Sequence, residues 1–375
     1  MIDNQRALFD IPADVTYLDC AANSPFLNTV RQAGVGGLDR KYHPWEIDRA
    51  VFVREGEAVR GLFAGLIGAT ASDIAITPST AYGIATAAQN LTISAGQSIL
   101  VLADQFPSNV FAWRELATAS GARMVTVPWP VDHDWTAAVL AHMTAETAIV
   151  ALPPCHWTDG SALDLVTIGR RCRELGAAFV VDATQAAGAV PLDVAAIQPD
   201  FLACSAYKWL LCPYTLGFLY AAPHRQGGRP LESHNLNHKS AGPGAGSAYA
   251  ADYADGARRY DMSERFNFIN IPMAIAAMEQ VTKWGVGNIH QTLSALIDYT
   301  ELKAAAIGWK VPEKSMRIGH YVGLSAPKPL PADVAARLQG ENIFMAVRGA
   351  GLRLSPYLYN SKADIDRAMA VLARL

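Results

Sequence analysis

Two short runs hold residue types able to do covalent chemistry. VVDATQ (180–185) ends an apolar run in a carboxylate, Asp182, and SAYKWL (205–210) follows the next apolar run with a lysine, Lys208. In a sheet with parallel strands, both residues fall at the carboxyl ends of neighbouring strands, where such sheets bind ligands. A lysine amine there suits condensation with the aldehyde of pyridoxal 5'-phosphate, and the carboxylate suits its pyridinium nitrogen, keeping the ring protonated as an electron sink. The same pair also reads as a surface lysine and an aspartate capping a helix, and these two runs alone leave both readings open.

Other segments add candidates. In TPSTAYGIATAAQNL (77–91), Ser79, Thr80 and Ala81 stand between a strand pattern and a helix pattern. The amides and dipole of a helix start hold phosphate, although an ordinary Ser/Thr cap has the same appearance. Phe106, in ADQFPSNVFAW (103–113), follows a strand and could cover a flat ring or belong to the core. His156 and Trp157, in PCHWTDG (154–160), could face a substrate, but a lone histidine is more often structural. Arg353 alternates with Leu352 and Leu354 in GLRLSP (351–356). It therefore projects from the opposite strand face and could grip a carboxylate bidentately or form a solvent ion pair.

These side chains need a scaffold. The β-rich runs are DIAIT (73–77), SILVLAD (98–104), ARMVTVP (122–128), TAIVALP (147–153), AAFVVDA (177–183) and DFLACSA (200–206). They alternate with helical stretches such as TAYGIATAAQNL (80–91) and LVTIGRRCRELG (165–176). The pattern predicts an α/β fold, a mostly parallel sheet with helices on both faces. Residues 271–285 read as a helix joining two domains. The last ninety or so residues read as a small α+β unit with strands at 317–326, 342–349 and 351–356, and with a final helix capped by Ser361 and Asp364. The expected division is a large domain over 16–284 and a small domain from 1–15 and 285–375. The stretch from Arg225 to Arg259 lacks periodicity and reads as a functional loop or inter-subunit arm.

Composition narrows the function. The chain has 375 residues, 51% hydrophobic and 17% charged, with a net charge of -3. That excludes a disordered chain and gives no basic footprint for nucleic acid. The longest apolar stretch, Trp209 to Ala222, is broken by Pro213 and falls short of the roughly 18 residues of a membrane span. Five cysteines at irregular spacing, with no C-x-x-C pair, argue against a disulfide framework or structural zinc and fit a cytoplasmic protein with no metal. No P-loop, G-x-S-x-G or H-E-x-x-H motif occurs, and GPGAGS (242–247) lacks dinucleotide-binding spacing. An oxidoreductase is thereby disfavoured, and a binding protein without catalysis remains as the other reading.

In order and spacing, these segments resemble the class V aminotransferase family of fold-type-I pyridoxal phosphate enzymes. That family includes cysteine desulfurases, selenocysteine lyases, isopenicillin N epimerases and kynureninases. YLDCAAN (17–23), TPSTAYGI (77–84), VDATQAAGAVPLDV with DFLACSAYKWLLCPYTLGFLY, GARRYD (256–261) and VRGAGLRLSPYLYN (347–360) carry the resemblance. It implies that Lys208 is the Schiff-base lysine and that Asp182 binds the pyridinium nitrogen. Gln185 would bond the ring's phenolic oxygen, and Phe106 would stack on the ring. Thr80, Ala81, Ser205 and Tyr207 would hold the phosphate. Arg353 would bind the α-carboxylate of an amino acid, aided by Asn23. Asn267, in SERFNFIN (263–270), would reach the partner's site in a homodimer. Amino transfer is the leading reaction, with β-elimination, kynureninase-like cleavage and epimerisation as alternatives.

The departures matter. Desulfurases of the family carry a cysteine in the C-terminal third, whereas the last cysteine here is Cys212. Where those enzymes tend to have histidines, this chain has Phe106 and Tyr207, a kynureninase-like feature in a chain shorter than typical kynureninases.

Overall fold

The computed structural model describes residues 1–239 and 252–375. The chain opens with a short strand, β1 (Thr16–Tyr17), and two helices, α1 (Asn28–Tyr42) and α2 (Arg49–Ile67). Strands and helices then alternate as β2 (Ile74–Thr77), α3 (Thr80–Asn90), β3 (Ser98–Leu102), α4 (Phe111–Ser120), β4 (Arg123–Val127), α5 (Trp135–His142), β5 (Thr147–Leu152), α6 (Leu165–Leu175), β6 (Ala178–Asp182), α7 (Val194–Ile197) and β7 (Phe201–Ser205). β8 (Gly217–Ala221) comes next, followed by helices α8 (Asn270–Trp284) and α9 (Val286–Ala306). The C-terminal part contains β9 (Val322–Ser325), α10 (Val334–Gly340), β10 (Ile343–Phe344), β11 (Ala346–Arg348), β12 (Gly351–Leu354) and α11 (Lys362–Leu372).

The large sheet has seven strands in the order β2-β8-β7-β6-β5-β3-β4. β8 runs antiparallel to both its neighbours, and the pairs β7–β6, β6–β5, β5–β3 and β3–β4 are parallel. Its central strands are buried throughout and apolar up to their carboxyl ends because both faces are covered, as parallel sheets require. Ile99, Val101, Val180 and Ala203 pack beneath α3 and α4, through Ile84, Ala87 and Trp113. Leu100, Leu102, Val181 and Leu202 point the other way, towards Phe63, Ile168 and Ala274. A separate core unites Leu18, Ile297, Leu324, Leu352, Ile365 and Met369 around the three-stranded sheet β11-β12-β9.

Each of the six predicted strand runs in the first 206 residues contains a strand. The helix expected over 271–285 is α8, and Ser361 and Asp364 form the capping box of α11. Three features differ from the sequence reading. β8 lies inside the apolar stretch from Trp209 to Ala222, which reads as one block because periodicity cannot mark a strand buried on both faces. Residues 342–349 are not one strand. Ile343–Phe344 pairs parallel with β1, whereas Ala346–Arg348 pairs antiparallel with β12. α9 is a helix that the sequence pattern does not mark, and it covers the small sheet with Ile297 and Ala304. The segment containing GPGAGS lies outside the described residues. Among those described, no helix is long and apolar enough to cross a membrane.

Candidate active site

A cavity of about 360 Å³ opens at the carboxyl ends of β6 and β7 and at the start of α3. Its size suits a small cofactor or ligand. The lining includes Thr80, Ala81, Phe106, Trp157, Asp182, Gln185, Ser205, Tyr207 and Lys208, all named from the sequence. Strand order explains the convergence. β6 and β7 are neighbours, with Asp182 paired opposite Ala203, so Asp182 and the Lys208 turn share one edge.

Lys208 is only 5% exposed, and its Nζ makes no hydrogen bond to a described residue. Burial, followed by the charge of Arg353, brings its pKa down to about 8. Asp182 is equally buried. Its Oδ1 accepts the Thr184 amide at 3.1 Å, and desolvation raises its pKa despite that bond and Lys208. A buried carboxylate with so little compensation calls for a donor, and a pyridinium N–H is one.

The phosphate end is equally suited. Ser79 caps α3 by accepting the Tyr82 amide at 3.2 Å. The Thr80 hydroxyl bonds Thr184 Oγ1 at 2.6 Å and Ser205 Oγ at 2.8 Å, while the Thr80 amide donates to Ser205 Oγ at 2.9 Å. The helix dipole and the first-turn N–H of Ala81 therefore face a cluster of hydroxyls, a ready anion cup. α3 comes this close because it has a glycine where it crosses β7: a Cβ on Gly83 would lie 2.9 Å from that of Ala203.

The walls are aromatic. Lys208 Nζ lies 5.4 Å from the Phe106 ring centroid and 5.7 Å from that of Tyr207, which stacks on Tyr214 at 4.0 Å. Trp157 meets Phe106 edge-on at 5.5 Å. Its Nε1 donates at 2.7 Å to the carbonyl of Asp104, whose φ of 51° is in the left-handed region that aspartate tolerates. Gln185 donates to the carbonyl of Ala21 at 3.0 Å and accepts from Trp209 Nε1 at 2.9 Å, leaving one amide hydrogen for a ligand.

Other sequence candidates lie elsewhere. Arg353 is buried beside the cavity, donating to the Trp157 carbonyl at 2.9 Å and to Asp19 at 3.1 Å. His156 does not face the cavity. It is fully buried, stacks on Trp135 and has both ring nitrogens engaged, with Thr158 and the Ala103 carbonyl. Burial lowers its pKa, so it is a neutral structural residue. Asn23 is exposed on the turn after β1, and Asn267 caps the first amides of α8, so neither lines the cavity of its own chain. Sequence reasoning passed over Thr184, Tyr214 and Thr215, which do line it. Thr184 follows Asp182 so closely that strand-end logic could have found it.

The family model for class V aminotransferases matches residues 16–368. The chain belongs to the class V aminotransferase family. It is therefore a pyridoxal phosphate enzyme of fold type I. An uncharacterized aminotransferase of Bacillus subtilis, YcbU, is 27% identical over 86% of this chain and 84% of its own length. A probable cysteine desulfurase of Pyrococcus abyssi is 25% identical over 85% of this chain and 82% of its own. Among solved structures, a mutant of C-DES with glycine covalently linked to its pyridoxal phosphate cofactor superposes with a TM-score of 0.90. It is 18% identical and covers 98% of this chain and 99% of its own, a likeness of fold. This class V enzyme thus has a cavity with all the groups the cofactor needs: amine, carboxylate, anion cup and aromatic wall.

Proposed function

We propose that this class V enzyme transfers the amino group of an amino acid, using Lys208 as both cofactor anchor and proton carrier. When bound, the cofactor supplies an aldehyde that condenses with amines and a ring that takes up the electron pair released at the substrate's α-carbon. Asp182 holds the ring nitrogen protonated, Thr80, Ala81 and Ser205 hold the phosphate, and Phe106 covers the ring. Gln185 offers its remaining amide hydrogen to the phenolic oxygen. Arg353 binds the α-carboxylate. With its amine free, Lys208 would take the α-proton and carry it.

The observation that carries this reading is that a single buried amine stands in the cavity beside Asp182. Among the described residues, Lys208 is the only cationic side chain lining the cavity. Burial pushes the Tyr207 hydroxyl and the Cys155 thiol up to about 12 each. Amino transfer needs one carrier moving a proton between two carbons, whereas epimerisation needs a second acid on the opposite face. Persulfide chemistry needs an accessible thiolate, yet all five cysteines are buried and free. β11 and β12 are joined by only Gly349 and Ala350, leaving no loop there for a nucleophile.

Homodimerisation and a cytoplasmic location are part of the same proposal. α1 and the turn after it expose Leu38, Tyr42 and Trp45, an apolar surface suited to a second copy. Asn267 does not line its own cavity, and with its Oδ1 held by the Ile269 and Asn270 amides its NH2 is the part that would serve a neighbour's.

The test is the visible spectrum of the cofactor-loaded enzyme during single turnover with an amino-acid panel and no keto-acid acceptor. Stoichiometric keto acid with conversion to the pyridoxamine form supports transfer. Ammonia, sulfide or a cleaved side chain assigns a lyase, and inversion of the α-carbon without keto acid assigns an epimerase.

A further inference from the structure

We infer that Arg348 is a second carboxylate receptor, so that the substrate is an amino acid with an acidic side chain. This rests on the reading above, in which Arg353 holds the α-carboxylate.

Trp157 joins three parts of the site. Its ring edge meets Phe106, its carbonyl accepts from Arg353, and its face carries Arg348, whose guanidinium carbon lies 5.2 Å from the ring centroid. A guanidinium over an indole face points its in-plane donors away from the ring, and the Arg348 Nη2 is bonded to no described residue and can meet a carboxylate.

The two arginines are not equivalent. Arg353 already shares its charge with Asp19, at 3.1 Å. Arg348 forms no ion pair with any described residue. Its one hydrogen bond, 3.0 Å long, goes to the carbonyl of its neighbour Val347, and its buried Nε has no partner. Such a half-buried, unpaired cation is costly unless something supplies the counter-charge. The charges facing it are Arg353, which repels it, and Asp19, which attracts it but is bonded to Arg353. Among the described residues Arg348 is thus the arginine beside Trp157 that has no acidic partner, and a side-chain carboxylate would supply one.

The strand register fixes the backbone that carries Arg348. Arg348 pairs with Gly351 across the hairpin, and Gly351 presents no side chain there. A Cβ on it would lie 2.6 Å from the Leu324 carbonyl.

The test compares ligands that differ by one carboxylate. Titration calorimetry of the loaded enzyme with glutarate and with pentanoate needs no turnover. Glutarate is expected to bind about 10- to 100-fold more tightly, the range for a charge-assisted hydrogen bond. Arg348→Gln is expected to erase the difference, and Arg348→Lys to restore part of it. The preference for glutamate over glutamine in single-turnover kcat/KM is expected to fall by the same factor in Arg348→Gln. Equal binding of the two acids by the native enzyme overturns the inference. So does an equal loss for both acids in Arg348→Gln, which assigns Arg348 to the first carboxylate. Failure of the underlying reading is distinct: no amino acid, acidic or neutral, then alters the cofactor's spectrum.

Discussion

The amine of Lys208 lies 5.4 Å from the ring centroid of Phe106, with no hydrogen-bond partner among the described residues. Buried ammonium groups are held by acceptors when their role is structural. This one is left available inside a cavity, so Lys208→Met is expected to abolish turnover and covalent cofactor attachment while leaving the circular dichroism spectrum intact. Retention of native turnover by the variant would rule out Lys208 as the anchor.

The same burial sets a pH dependence. Lys208 titrates at about 8 instead of the ordinary 10.5, and the neutral amine is the nucleophile. The rate of covalent cofactor uptake by the apoprotein is expected to rise with pH and level off above about 8. Stability follows the same sign. Between about 8 and 10.5 the unfolded lysine binds a proton that the folded one does not, so the penalty is complete below 8 and fades as pH rises. Urea titrations of the apoprotein are expected to show this gain in the native chain relative to Lys208→Met.

Thiol chemistry supplies a separate check. Burial pushes Cys155 and Cys172 up to about 12 and raises Cys20, Cys204 and Cys212 further. The native protein is expected to show almost no fast reaction with Ellman's reagent at neutral pH, and all five thiols on unfolding. A rapidly reacting thiol in the native state would reopen a persulfide mechanism.

At the crossing of α3 and β7, a larger residue would separate the anion cup from its helix. Gly83→Val places its Cβ 2.9 Å from Ala203 and crowds Leu219. The expected cost is about 1–3 kcal/mol in urea denaturation, together with faster cofactor loss on dialysis. Unchanged cofactor retention would show that the helix start does not hold the phosphate.

Away from the cavity, Arg60 and Asp261 form a buried ion pair, with Nη1 to Oδ1 at 2.8 Å, and Asp261 also accepts the Ile76 amide at 2.9 Å. This ties the segment before α8 to β2. Asp261→Ala leaves the buried Arg60 with only Glu57 and the Ile74 carbonyl and takes the partner of Arg265 as well, and is expected to cost about 3–5 kcal/mol, measured by chemical denaturation. A loss below about 1 kcal/mol would imply that water reaches Arg60.

Strand-end positions were legible without coordinates. Asp182, Ser205 and Lys208 follow apolar runs, and Thr80 and Ala81 open a helix after another. Alternation of strands and helices alone brings such ends to one edge. The long-range partners were not legible. His156 has a polar loop around it in the sequence, yet it is sealed between Trp135 and the Ala103 carbonyl. Asn267 accepts the Asn270 amide at the start of α8, a local contact that type and spacing do not reveal.

Local pattern therefore determined six strands of the large sheet and set Asp182 and Lys208 at the ends of neighbouring strands, because period and chain order suffice to place them. Tertiary packing decided the rest. Trp157 and Arg353 are 196 positions apart, and only docking of the small sheet against the loop after β5 brings them together. The charge balance that leaves Arg348 unmatched is a property of that docking, since burial and pairing depend on neighbours distant in the chain.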